Sequence, residues 1–128
     1  MNGQRQFVMR TAAFLAGLMG ASGVALAAAA AHAGGAERLG PASTFLLLHA
    51  CAVLGATALT EHEVLQRRLG LLGTFSLVLG TALFSGDLTM RHFYGRALFS
   101  MAAPTGGTLL IVAWLMLALA AIWPRKAS

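Results

Sequence analysis

Residues 69–90 read LGLLGTFSLVLGTALFSGDLTM, and in this stretch Asp87 is the only charged residue. A helix that crosses a bilayer needs about 20 consecutive, mostly apolar residues, because the hydrocarbon core is about 30 Å thick. This stretch meets that requirement, and three others come close. PTGGTLLIVAWLMLALAAIW follows at 104–123, STFLLLHACAVLGATALT precedes at 43–60, and an alanine-rich block runs from Phe7 to Ala31. The expectation is an all-α polytopic membrane protein. It would be a single domain, a compact bundle of four transmembrane helices over about 7–31, 43–60, 69–90 and 104–123.

Composition points the same way. The chain is 58% apolar and 10% charged, against roughly a quarter charged in soluble domains. A chain of 128 residues has too much surface for its volume to hide that apolar excess from water. Lipid is its natural solvent and the bilayer its expected partner, with other membrane proteins or further copies of the chain beside it. The net charge of +5 invites a nucleic-acid reading. However, Arg5, Arg10, Arg38, Arg67, Arg68, Arg91, Arg96, Arg125 and Lys126 are dispersed between apolar blocks, whereas a nucleic-acid footprint is a clustered patch or stripe. No nucleic-acid partner is expected. Cys51 is the only cysteine, so it forms no internal disulfide and reads as a small hydrophobe.

Local signals mark the ends of the spans. Pro104 suits a first helical position, where a missing N–H costs little. Trp123, Pro124, Arg125 and Lys126 read as an interfacial end. Thr60 to Glu63 has capping-box spacing and reads either as a helical lead-in to the third span or as a solvated loop. The first block has a rival reading: MNGQRQFVMR resembles a signal-peptide n-region and Ala31-His32-Ala33 a cleavage site. Its apolar run exceeds the 7–15 residues of a signal peptide, so a retained span is expected. Arg5, Arg10, Arg67, Arg68, Arg125 and Lys126 fall on one side of the membrane, and Arg38, Arg91 and Arg96 on the other. That bias places both termini in the cytoplasm of a bacterial cell, with the chain in the inner membrane.

Small residues allow membrane helices to approach closely. Ala13, Gly17, Ala21, Ala25 and Ala29 form one such row, and Gly73, Ser76, Gly80 and Asp87 share a face of the third span. That face should look into the bundle, leaving Leu77, Val78 and Leu79 partly toward lipid. Asp87 lies 18 residues beyond Leu69, about 27 Å along the helix, near the outer interface. His49 lies six residues beyond Ser43, about 9 Å in. His32 ends the first span, and Gly106 and Gly107 open the fourth. His32, His49, Ser85, Asp87, Pro104, Gly106 and Gly107 therefore form a candidate polar cluster in the outer half, above an almost purely apolar inner half. Each has a structural reading. His32 suits an interface, and His49 an interhelical hydrogen bond. Ser85 suits a bond back to the preceding turn. Asp87 suits pairing with Arg91, Arg96 or the free N–H groups that open the fourth span. His92, Phe93 and Tyr94 suit interfacial anchors.

The segments Leu83, Phe84, Ser85, Gly86 and Leu88, then Pro104, Gly106 and Gly107, then Trp114, resemble the bacterial membrane family catalogued as domain of unknown function 423, to which the eukaryotic transmembrane protein 256 is related. Ala30 to Ala33 and Phe45 to Ala50 resemble its further motifs around His32 and His49. The likeness spans roughly Arg10 to Ile122. It departs from the family pattern in several places: Asp87 stands where the family usually carries Ser, Leu46 for Gln, Phe45 for Tyr, Ala103 for the Thr before Pro, and alanines for most of the glycines around His32. The resemblance implies a four-helix membrane unit that keeps its first span. It implies no activity.

Three functions fit. A structural or accessory protein of a membrane complex is expected first, because the chain has no nucleotide loop, no metal cluster and no paired nucleophile and base. It is expected to be no enzyme and to hold no cofactor. A small oligomeric transporter or channel would use Asp87 and His49 as a polar site in the outer half. Haem or metal binding would use His32 and His49.

Overall fold

The computed structural model describes residues 2–124. They form four helices: α1 (Gly3–Ala33), α2 (Ala36–Glu61), α3 (Arg67–Tyr94) and α4 (Ala102–Ile122). All four are long and apolar enough to cross a membrane, and no strand occurs among the described residues. The architecture is an all-α, multi-pass membrane bundle. The cations expected at Arg125 and Lys126 lie outside the described residues.

The helices start and stop differently from the apolar runs. α2 begins at Ala36, seven residues before Ser43. The connection before it is only Gly34 and Gly35, both at φ 83°. Such backbone is open to glycine at no steric cost, and it reverses the chain at once. Leu39 N–H then donates to Gly35 O at 2.8 Å, closing the first turn. Pro41 inside the helix forfeits one ladder bond, and α2 continues through it. Gly35 is also crowded, since a Cβ there would run into the His92 ring. Of the two readings of Thr60 to Glu63, the helical lead-in with its capping box does not form, and residues 62–66 are a connection. Thr60 and Glu61 complete α2, Thr60 donates to Ala56 O at 2.7 Å, and Gln66 caps α3 by accepting from Leu69 N–H at 2.8 Å. Pro104 is the third residue of α4 rather than its first, still within the turn whose N–H groups lack helical partners.

Each helix packs on the next in chain order. α1 meets α3 only lightly, and α1 and α4 are not packed together. Large side chains point outward: Phe7, Phe14, Leu48, Leu72, Ile111 and Leu115 are exposed. The interior is built largely from small and polar residues, among them Ala12, Ala16, Ala42, Gly73, Gly80 and Ala113. This inverts the pattern of a soluble protein. Lipid is as apolar as Leu, so helices gain by close contact rather than by hiding large side chains.

Two expected faces shift. In α1, Ala13, Gly17, Ala21 and Ala25 point outward, and the buried row is Ala12, Ala16, Met19 and Gly23. Alanine is so frequent there that several rows look equally small. In α3, Leu77 is fully buried rather than lipid-facing, while Leu79 is exposed. α3 is gripped on two sides. A Cβ on Gly73 or Gly80 would meet Leu117 or Leu110 of α4, and Ser85 bonds to α2. The buried arc is accordingly wider than one row.

Candidate functional site

A polar group inside a bilayer needs a partner within the protein. The buried polar side chains include Ser43, His49, Ser85 and Asp87, and their partners define the site.

Asp87 is fully buried in α3. Its Oδ2 accepts from Arg91 Nε at 2.9 Å, one turn on. Its Oδ1 accepts from the Leu98 N–H at 2.9 Å, in the connection to α4. One side chain thus fastens the end of α3 to the connection that leads into α4. Arg96, the other expected cation, is exposed.

Ser85 does not bond back to its own helix. Its hydroxyl donates to Ala42 O of α2 at 2.9 Å. Helix α2 starts early enough to place Ala42 beside it. Ser43 repeats the device by donating to Gly23 O of α1 at 2.9 Å. At Gly23 a Cβ would lie 2.8 Å from Leu47 Cγ, so the two helices need glycine to come that close.

His49 is deeper than its distance from Ser43 suggests. It lies thirteen residues beyond Ala36, about 20 Å along α2 and near its middle. Its Nδ1 is 2.8 Å from Phe45 O, and Trp114 Nε1 of α4 donates to its Nε2 at 3.1 Å. An indole N–H only donates and a carbonyl only accepts. The ring is therefore the neutral tautomer with hydrogen on Nδ1. Both nitrogens are taken, so His49 has no lone pair to offer a metal, and His32 is exposed in the last turn of α1. The two histidines do not form a ligand pair. No group of three His, Cys, Asp or Glu side chains suited to a metal occurs among the described residues.

Gly106 packs where α3 and α4 cross. A Cβ there would lie 2.6 Å from Phe84 N and 2.7 Å from Gly80 O. Gly107 faces nearly open space, and Pro104 is exposed. The structure therefore joins Asp87 to the α3–α4 connection and Ser85 to α2, and pairs His49 with Trp114. It leaves His32, Pro104 and Gly107 outside these contacts. Sequence reasoning missed Trp114 and Ser43 as partners. Trp114 carried a usable signal, since a Trp N–H in an apolar setting seeks an acceptor. Among buried side-chain atoms described, Thr81 Oγ1 and Arg67 Nη1 have no hydrogen-bond partner.

No curated protein and no solved structure matches the chain. One family model does, described as "Protein of unknown function (DUF423)", over residues 19–107. The match begins midway along α1, ends in the second turn of α4, and takes in the ties made by Ser43, Ser85 and Asp87. With more than two thirds of its length covered, the chain belongs to the DUF423 family.

Proposed function

We propose that this protein is a structural or accessory component of a membrane assembly. The observation that supports this reading is how the buried polar groups are used. Asp87, Ser85, Ser43 and His49 each bond to another helix or to a connection between helices. A transporter keeps polar groups available near the bilayer midplane, on broken helices. Here the polar residue nearest the middle of α2 gives both ring nitrogens to Phe45 and Trp114. The test is reconstitution into sealed vesicles, with proton and cation flux measured against empty vesicles. No flux is expected above background, and cross-linking in native membranes should capture a defined neighbour. A flux that Asp87→Ser abolishes while the protein stays folded would overturn the accessory role in favour of a small oligomeric transporter.

The same proposal places the chain in a bacterial inner membrane with both termini cytoplasmic. Its support is the excess of arginine and lysine near the termini and the α2–α3 connection. Reporter fusions after Arg68 and at Ser128 should read cytoplasmic, and one between Arg91 and Arg96 external. The reverse pattern, or a mature N-terminus at Gly34, would overturn this placement.

A further inference from the structure

The packing order leaves a gap between α1 and α3, which meet only lightly. The gap is an open groove of about 580 Å³, with Leu46 of α2 as its floor. Its walls are lined by small residues, Ser22 and Ala25 of α1 and Ala82 and Gly86 of α3. Two hydroxyls at its edge, those of Ser85 and Thr89, are turned into the protein, donating to Ala42 O and Ser85 O. The groove is therefore mainly apolar along its length. From Ala82 to Tyr94 it follows α3 for twelve residues, about 18 Å. One leaflet of the hydrocarbon core is about 15 Å deep.

The mouth has a different character. Tyr94 and Leu98 frame it. The Leu98 N–H bonds to Asp87, whose other oxygen holds Arg91, so the mouth adjoins that guanidinium. The Arg91 side chain is 43% exposed although its partner is fully buried. Arg38 reaches across from α2, its Nη1 donating to Arg91 O at 3.1 Å. Arg96 is exposed on the same connection, and Glu37 is the exposed acid at this end. A slot one leaflet deep thus opens at a basic rim.

We propose that this groove holds one acyl chain of an anionic phospholipid, whose phosphate sits at the Arg38–Arg91 rim. The apolar slot selects a hydrocarbon tail. The rim selects a negative headgroup, and Tyr94 occupies the headgroup level where aromatic side chains collect. The inference does not rest on the accessory role, since a transporter with this groove would bind the same lipid.

The test is native mass spectrometry of the full chain after exposure to vesicles of equal phosphatidylglycerol and phosphatidylcholine with matched tails. The wild type should retain one phospholipid per chain, enriched in phosphatidylglycerol. Arg38→Gln should lower that enrichment about fivefold, the effect of one cation at an anionic surface. Ala82→Trp should empty the site, because Ala82 is exposed and its added bulk enters the groove rather than the core. Ala25→Phe fills the groove from α1 and serves if Ala82→Trp does not fold, as judged by circular dichroism. A wild type that retains no lipid, or that retains both headgroups equally, overturns the proposal. So does a folded groove-filling variant that retains as much lipid as wild type. A dimer that these variants dissociate would mean that a second copy of the chain occupies the groove.

Discussion

At the end of the bundle where α1 meets α2 and α3 meets α4, three buried side chains reach across to the backbone of another helix or of a connection. At the opposite end three threonines bond to their own helices instead. Ser43 reaches Gly23 O, Ser85 reaches Ala42 O, and Asp87 reaches Leu98 N–H. By contrast Thr57, Thr60 and Thr74 each donate to the carbonyl four residues earlier, at 2.6–2.7 Å. Both solutions satisfy a hydroxyl in lipid. Only the first fixes one helix against another. The second end relies on shape instead. Gly73 leaves room for Leu117 and Gly70 for Thr60, helped by one backbone bond from Gln66 N–H to Ala120 O at 2.9 Å. An ion pair between Arg5 and Glu61 at 3.3 Å closes the rim, where both side chains are partly exposed and such a pair contributes little.

The largest effect belongs to the place where shape matters at the polar end as well. Gly106→Ala would press a methyl group against the backbone of α3. Backbone cannot swing aside, so the helices must part, at a cost of about 2–3 kcal/mol or more. Gly107→Ala, one residue on, faces open space and should be neutral or stabilising by up to about 1 kcal/mol through helix propensity. Unfolding in mixed micelles, followed by circular dichroism, measures both. Equal effects at the two glycines would show that backbone contact does not hold α3 to α4.

Asp87 comes next. Asp87→Leu leaves the part-buried Leu98 N–H without its acceptor, at about 1–3 kcal/mol. Arg91 adds little to this loss, because it is partly exposed and turns toward solvent. Asp87→Lys should do worse by setting a positive charge against N–H groups and Arg91. Asp87→Ser should do best, since a hydroxyl still accepts from Leu98. The same unfolding assay should give the order Ser, Leu, Lys. If Ser is as damaging as Lys, the carboxylate has a task beyond anchoring.

His49 tests the middle of the bundle, between the two regimes. His49→Leu should lose about 0.6–2 kcal/mol and His49→Gln less, because its amide also accepts from Trp114. A double-mutant cycle with Trp114→Phe should return a coupling of about 0.6–1.7 kcal/mol. No coupling would mean that α2 and α4 are held by packing alone.

Much of this was legible in the sequence. Hydropathy gave four spans because lipid exposure leaves a long unbroken apolar signal, and Asp87 stood out because a lone acid in such a run needs a partner. What escaped was register. Gly34 and Gly35 form a turn too short to register as a loop, so Glu37, Arg38 and Pro41 masked the true start of α2 and His49 appeared too shallow. The α1 row slipped by one or two residues because small side chains occupy every face. From sequence Ser85 suits a bond to its own helix, because its actual partner, Ala42 O, is a backbone atom on another helix. No side-chain pattern announces a carbonyl.

That difficulty sets the last and smallest comparison, between two hydroxyls of equal burial. Ser85 is 1% exposed and Thr74 is 0%. Both lie on α3, on either side of its middle. Ser85→Ala removes a bond between α3 and α2, for which about 0.6 kcal/mol is typical in membrane helices. Thr74→Val removes a bond within α3, whose acceptor, Gly70 O, keeps its place in the helical ladder. A bond of that kind slightly destabilises the helix that carries it, so Thr74→Val should cost nothing measurable. The distinction is sharper in geometry than in energy. Ser85→Ala should also raise cross-linking variability between cysteines placed on the lipid-facing edges of α2 and α3, because it loosens their register. If Thr74→Val costs as much as Ser85→Ala, or if register is unmoved by the loss of Ser85, then both ends of the bundle are held by shape. The interhelical hydroxyl bonds would then follow from the packing rather than set it.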